Sequence, residues 1–218
     1  MCNLYNVTPP KARKREQDDW AKRVLGLLGR LPKQYNLRPT DKGLIIGQAE
    51  EIEVMRWGFR RRISPAITNA RGDNLGKRGM WHESFAKRRC IVPAGSFYEF
   101  SGPPNNKQAN AFLHADGNFL WIAGLWEEDP VNGRCFAMLT TPPGPLMEPL
   151  HDRQVACMEK DQARAFLRGE IPAERFETPL NYGKLITFPA ANPLKKGYVS
   201  GPPVAIEKPP EPEQMEML

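Results

Sequence analysis

Apolar residues follow two rhythms along this chain. Over residues 18–29, Trp20, Val24, Leu27 and Leu28 fall at helical spacing behind Asp18 and Asp19, which predicts a helix with an aspartate at its start. Further on, apolar residues gather in short runs at 44–47, 52–57, 90–92, 96–100, 111–114, 119–126 and 136–140. Turn-rich spacers such as SGPPNNK, HADG and EEDPVNG separate several of them, so the runs read as strands of a largely antiparallel system. Residues 64–68 are strand-like, residues 81–87 predict a short helix, and residues 161–168 predict another with Asp161 as its N-cap. The fold class expected is α+β: a largely antiparallel, barrel-like β-sheet with surrounding helices, in one domain over residues 1–199. From Ser200 the chain reads GPPVAIEKPPEPEQMEML, too rich in proline and charge to pack, so residues 200–218 are expected to form a disordered tail.

Composition adds a partner class. The 218 residues carry a net charge of +6, which suits an anionic partner but equally serves solubility. Basic residues cluster at 11–15, at Arg56 with Arg60, Arg61 and Arg62, and at Lys87, Arg88 and Arg89; only the fold can gather them into one patch. The four cysteines, Cys2, Cys90, Cys135 and Cys157, form no C-x-x-C pair, and the three histidines are scattered, so no metal site and no cofactor is expected. No apolar run has the length of a signal peptide or a membrane span, which gives the expectation of free thiols in a reducing cytoplasm.

A few residues could carry chemistry. Cys2 stands behind a methionine that is ordinarily cleaved before a small side chain, and its exposure would create a 1,2-aminothiol. An α-amine has a pKa of about 8 and an unperturbed thiol about 8.5, so both are usable nucleophiles near neutrality. Together they condense with an aldehyde to a five-membered thiazolidine; the alternative is a chance cysteine at an exposed terminus. Glu99 lies in Gly95-Ser-Phe-Tyr-Glu-Phe100, where alternation puts Phe97 and Glu99 on one face and Tyr98 and Phe100 on the other. Turned inward among aromatics, that carboxyl would have a raised pKa and could relay protons; turned outward, it would simply meet water. His151, in Leu150-His-Asp-Arg153, is a titrating group or a loop histidine, and Asn69-Ala-Arg71 pairs an amide with a guanidinium suited to phosphate.

The order of the motifs is more specific than any one of them. Met-Cys at the start, Tyr35-Asn-Leu-Arg-Pro39, Met55-Arg-Trp-Gly58, Thr68-Asn-Ala-Arg71, Arg89-Cys-Ile-Val-Pro93 running to Phe97-Tyr-Glu-Phe100, Thr140-Thr141 and His151-Asp-Arg153 resemble the motif series of the SOS response-associated peptidase family over roughly residues 2–160. The resemblance implies that the chain shields abasic sites in single-stranded DNA by a thiazolidine crosslink through Cys2. It implies further that Asn69 bonds near the opened sugar, Arg71 holds a phosphate, Glu99 relays protons and His151 assists at the sugar hydroxyl. Pro39 and Phe100 would line the bend of the strand, and Trp57 would support the core. Departures are visible: Asn3 and Leu4 replace the family's usual Gly-Arg, Gly72 and Asp73 its Ser-Glu, Phe100 its tryptophan, and Gln154 and Val155 its Met-Pro. Two rivals stand beside this reading, a cysteine peptidase using Cys2, Glu99 and His151, and a single-stranded DNA-binding module without covalent chemistry.

Overall fold

Alternation becomes strand wherever both faces of a run find partners. The computed structural model describes residues 2–10, 19–61, 64–76, 79–104 and 106–206. In chain order the strands are β1 (Tyr5–Asn6), β2 (Lys42–Ile46), β3 (Ile52–Trp57), β4 (Phe59–Arg61), β5 (Ser64–Ile67), β6 (Asn69–Arg71) and β7 (Arg89–Ala94). They continue as β8 (Ser96–Ser101), β9 (Gln108–His114), β10 (Leu120–Asp129), β11 (Gly133–Thr141), β12 (Gln154–Val155), β13 (Cys157–Met158) and β14 (Leu185–Ala190). The α-helices are α1 (Asp19–Leu27), α2 (His82–Lys87) and α3 (Lys160–Leu167).

The expected α+β class holds. Strands β11, β3, β2, β7 and β10 pair in that order, and β10 pairs back onto β11, closing a five-stranded barrel. Its pairings are antiparallel except β3 against β11; β6, outside the ring, also runs parallel to β11. A second sheet, ordered β1-β8-β9-β14, carries the start of the chain at one edge. One large apolar core joins the two, with Tyr5 set edge-on to Trp57 at 5.0 Å between ring centres. Trp57 is fully buried and its indole N–H donates to the Thr68 carbonyl at 3.1 Å, the supporting role expected of it. Helix α1 buries Trp20 and Val24, the stripe its spacing announced.

Some local expectations are corrected. Helix α3 is capped by Glu159, not Asp161: the Glu159 side chain accepts from the N3 backbone while Gln162 reaches back to the Glu159 N–H. That reciprocal pair satisfies two end groups where one aspartate would satisfy one. The unpacked tail does not begin at Ser200. Ala191 N–H donates to Val204 O and Ile206 N–H to Pro189 O, laying residues 204–206 along the outer edge of β14. Residues 207–218, like Asp18 and the basic run 11–15, lie outside the described residues.

Candidate active site around Cys2

The chain start is stitched to β8. Tyr5 pairs with Phe97 and Asn6 with Ser96, and Tyr98 N–H donates to Leu4 O at 3.0 Å, which extends the antiparallel register toward Cys2. The Asn6 amide donates to Ser96 Oγ at 2.8 Å and accepts from Asn36 N–H at 2.7 Å, pinning the loop that bears Pro39. Gly95 makes this approach possible, since a Cβ there would stand 2.1 Å from the Thr8 carbonyl oxygen.

Cys2 is therefore no loose terminal residue: it is 1% exposed and joins the main core. Its Sγ–H donates weakly to Leu4 O at 3.5 Å, and its carbonyl accepts from Asn69 Nδ2 at 3.0 Å. Asn69 also donates to Thr68 Oγ1 at 2.9 Å, and Thr68 Oγ1 donates to Asn3 Oδ1 at 3.3 Å. Asn69 Oδ1 is buried and meets no donor among the described residues. Burial, reinforced by the charge of Glu99, pushes the Cys2 thiol well above its ordinary range.

Alternation along β8 behaves as expected: Phe97 packs in the main core with Cys2, whereas Tyr98 and the half-buried Phe100 join a smaller cluster with Leu4. Glu99 is 4% exposed, and loss of solvation pushes its carboxyl up to about 7, with the positive amino terminus pulling downward and Asp152 upward. Asp152 links Glu99 to His151, whose Nδ1 lies 2.7 Å from Asp152 Oδ1 and also accepts Arg153 N–H at 3.0 Å. A neutral imidazole takes the second bond and a protonated one the first. Partial burial lowers the His151 pKa, with Asp152 opposing.

Arg71 leaves β6 beside Thr140 of β11, half-exposed, with both edges of its fork on Asp73 at 3.2 and 2.7 Å. Pro39 is half-buried in a turn tied down by Thr40 N–H to Trp57 O. Cys2, Asn69, Glu99 and His151 thus share one region through bonds and mutual charge, Arg71 stands beside it, and Pro39 approaches along the loop that bridges β1.

This convergence fits a profile of the SOS response associated peptidase (SRAP) family, which matches residues 1–188. The chain belongs to the SRAP family. A similar curated relative, the abasic site processing protein YoqW of Bacillus subtilis, is 28% identical over 61% of this chain and 66% of its own length, just under two thirds. YobE of the same species, also named an abasic site processing protein, is 27% identical over 61% of this chain and 67% of itself. Among solved structures, a protein of Bacteroides thetaiotaomicron superposes with a TM-score of 0.67 at 20% identity, covering 88% of this chain and 93% of that one. A phage-related protein of Bordetella bronchiseptica gives 0.65 at 20%, over 88% and 95%. At that identity the two superpositions establish the shared fold.

As an SRAP member, the chain has departures that acquire local causes. Gly72 has no room for a side chain: a Cβ would lie 2.5 Å from Phe176 Cβ and 2.8 Å from Thr140 O. Asn3 takes part in the bonds that hold the Cys2 backbone. Two groups named in the motifs were given no role by the sequence reading, Arg153 and Asp73. Arg153 is 5% exposed, donates to Thr140 O at 2.7 Å and lies 3.4 Å from Asp73 Oδ1. Within the basic clusters, Arg61 pairs with Glu127, Arg88 with Glu83, and Arg89 is buried over the Phe85 ring, donating to three carbonyls, whereas Arg62 lies outside the described residues. Among the described residues, no grouping of side chains could hold a metal ion and no helix is long and apolar enough to cross a membrane.

Proposed function

We propose that this chain captures abasic sites in single-stranded DNA as a thiazolidine through Cys2, after removal of Met1. The relatives' names direct attention to the lesion, and the observation that carries the reading is a buried carboxyl poised near neutrality next to the buried Cys2. The freed α-amine attacks the aldehyde of the ring-opened sugar, water leaves, and an imine forms. The thiol then adds to the imine carbon while its proton moves to the imine nitrogen, closing the ring. Glu99, its carboxyl pushed up to about 7 by burial, carries that proton and returns it on reversal. Asn69 Oδ1, buried without a donor, accepts from the sugar hydroxyl, and His151 assists at the same oxygen. Arg71 meets a flanking phosphate, while Pro39 and Phe100 border the bent strand. The four free cysteines suit a reducing cytoplasm.

A thiol peptidase acting on other chains fits less well. Such enzymes lower the pKa of their cysteine, and this thiol is raised. The deciding experiment mixes protein of verified intact mass, lacking Met1, with a single-stranded oligonucleotide bearing one abasic site. A band resistant to denaturing electrophoresis is expected, and Cys2→Ala should abolish it, leaving at most an imine trappable by borohydride. A Cys2→Ala protein that crosslinks like wild type without reductant would end the proposal.

A further inference from the structure

Two arginines converge on one carboxylate beside this site. Arg71 donates from Nε and Nη2 to both oxygens of Asp73, and Arg153 Nη2 stands 3.4 Å from Asp73 Oδ1. Arg153 is withdrawn from water, and its Nε is buried with no acceptor among the described residues. A guanidinium in such surroundings calls for a neighbouring anion, and Asp73 is the anion in place. The three-ten turn Gly72–Asn74 folds Asp73 back over Arg71, and the tight fit of Gly72 against Phe176 fixes that turn.

We infer that Asp73 occupies the Arg71 fork in place of a DNA phosphate, with Arg153 close behind it, and so attenuates affinity for single strands. The inference rests on the DNA-binding reading above and names a residue that tunes it. A carboxylate and a phosphodiester carry the same charge and present paired oxygens to a guanidinium, so they compete for the same donors. Asp152 also acts on both arginines, so two carboxylates oppose two cations here although the whole chain carries +6. A phosphate arriving at the fork displaces Asp73 or binds against its charge.

Asp73→Asn tests this, because it keeps the shape and one acceptor oxygen while removing the charge. Binding of an intact oligonucleotide, without any abasic site, is measured by fluorescence anisotropy across a salt series. Removing one charge about 5 Å from a phosphate in a solvent-screened setting should tighten binding about three- to fivefold at low salt. The dependence of log K on log salt should steepen by up to about 0.7, one further phosphate contact. The gain should vanish in an Arg71→Ala background. Asp73→Ser, measured in the same way, replaces Asp73→Asn if the latter melts early. Unchanged or weaker binding in the folded variant, or a gain that survives Arg71→Ala, overturns the inference. Crosslinking to an abasic oligonucleotide, run in parallel, separates the two proposals. Wild-type crosslinking without any gain from Asp73→Asn leaves abasic-site capture standing and removes only the internal occupant, whereas a wild type that neither binds nor crosslinks removes both.

Discussion

Replacing Glu99 by glutamine should make the protein more stable and nearly inactive at the same time. An unfolded glutamate gives up its proton near 4.5, whereas Glu99 in the fold holds it to about 7. Between those values the folded state binds more protons, so this group's contribution falls as pH rises and its cost is fully present above 7. The difference corresponds to roughly 3 kcal/mol on the unfavourable side at pH 8, vanishing below 4.5. Glutamine keeps the volume and never ionises. At pH 8 Glu99→Gln should therefore melt later than wild type, by about 6–10 °C for a chain of this size, with the two curves converging at pH 4.5. Crosslinking at saturating DNA should meanwhile slow by about 10²- to 10⁴-fold, the range for loss of a general acid–base group. Paired melts and single-turnover rates on abasic oligonucleotide, taken across pH, give both readouts. A variant that is no more stable than wild type at pH 8 would refute the assigned burial cost. A normal crosslinking rate would refute the relay.

Arg71→Ala should flatten the salt dependence of binding to intact single strands by up to about 0.7, read from the same anisotropy titrations; an unchanged slope removes Arg71 from the phosphate contacts. Gly72→Ala should cost about 1–3 kcal/mol in urea unfolding, because its Cβ would be driven into Phe176 and Thr140 O, and a neutral result would mean that the turn can shift.

Much of the barrel was legible because most of its strands alternate or run apolar between turn residues. Every strand of the closed ring, β2, β3, β7, β10 and β11, overlaps one of the runs read from the sequence. Their closure was not legible. The β10–β11 hairpin is local, but the parallel pairing of Cys135 with Arg56 joins segments far apart in sequence, and no local pattern encodes it. Strand β14 was missed because Pro189 sits inside it, tolerable near the sheet's margin where few further backbone donors are needed. At the site, alternation put Glu99 on the face of Phe97, whereas nothing in the sequence set Arg153 apart within the motif it shares with His151. Its burial comes from Thr140 and Asp73, contributed by two other segments. The fate of two basic residues was hidden in the same way: Arg61 pairs with Glu127 and Arg88 with Glu83.

The raised thiol of Cys2 constrains the order of the proposed chemistry. Burial and Glu99 keep sulfur protonated at neutral pH, so it cannot lead as a thiolate. An α-amine with a pKa of about 8 has an appreciable neutral fraction under the same conditions, so imine formation comes first. Sulfur needs to lose its proton only as the carbon–sulfur bond forms, and a carboxyl with a pKa of about 7 is a fitting acceptor at that moment. Before the lesion arrives, the same protonation protects the nucleophile, since oxidation and alkylation act on thiolate. Reversal runs the relay backwards, with Glu99 returning a proton as sulfur departs. The desolvation that makes Glu99 costly to the fold is thus what matches it to its partner. Solvating Glu99 would lower its pKa, strip it of its proton before the ring reopened, and bias the protein toward adducts that form and are not released.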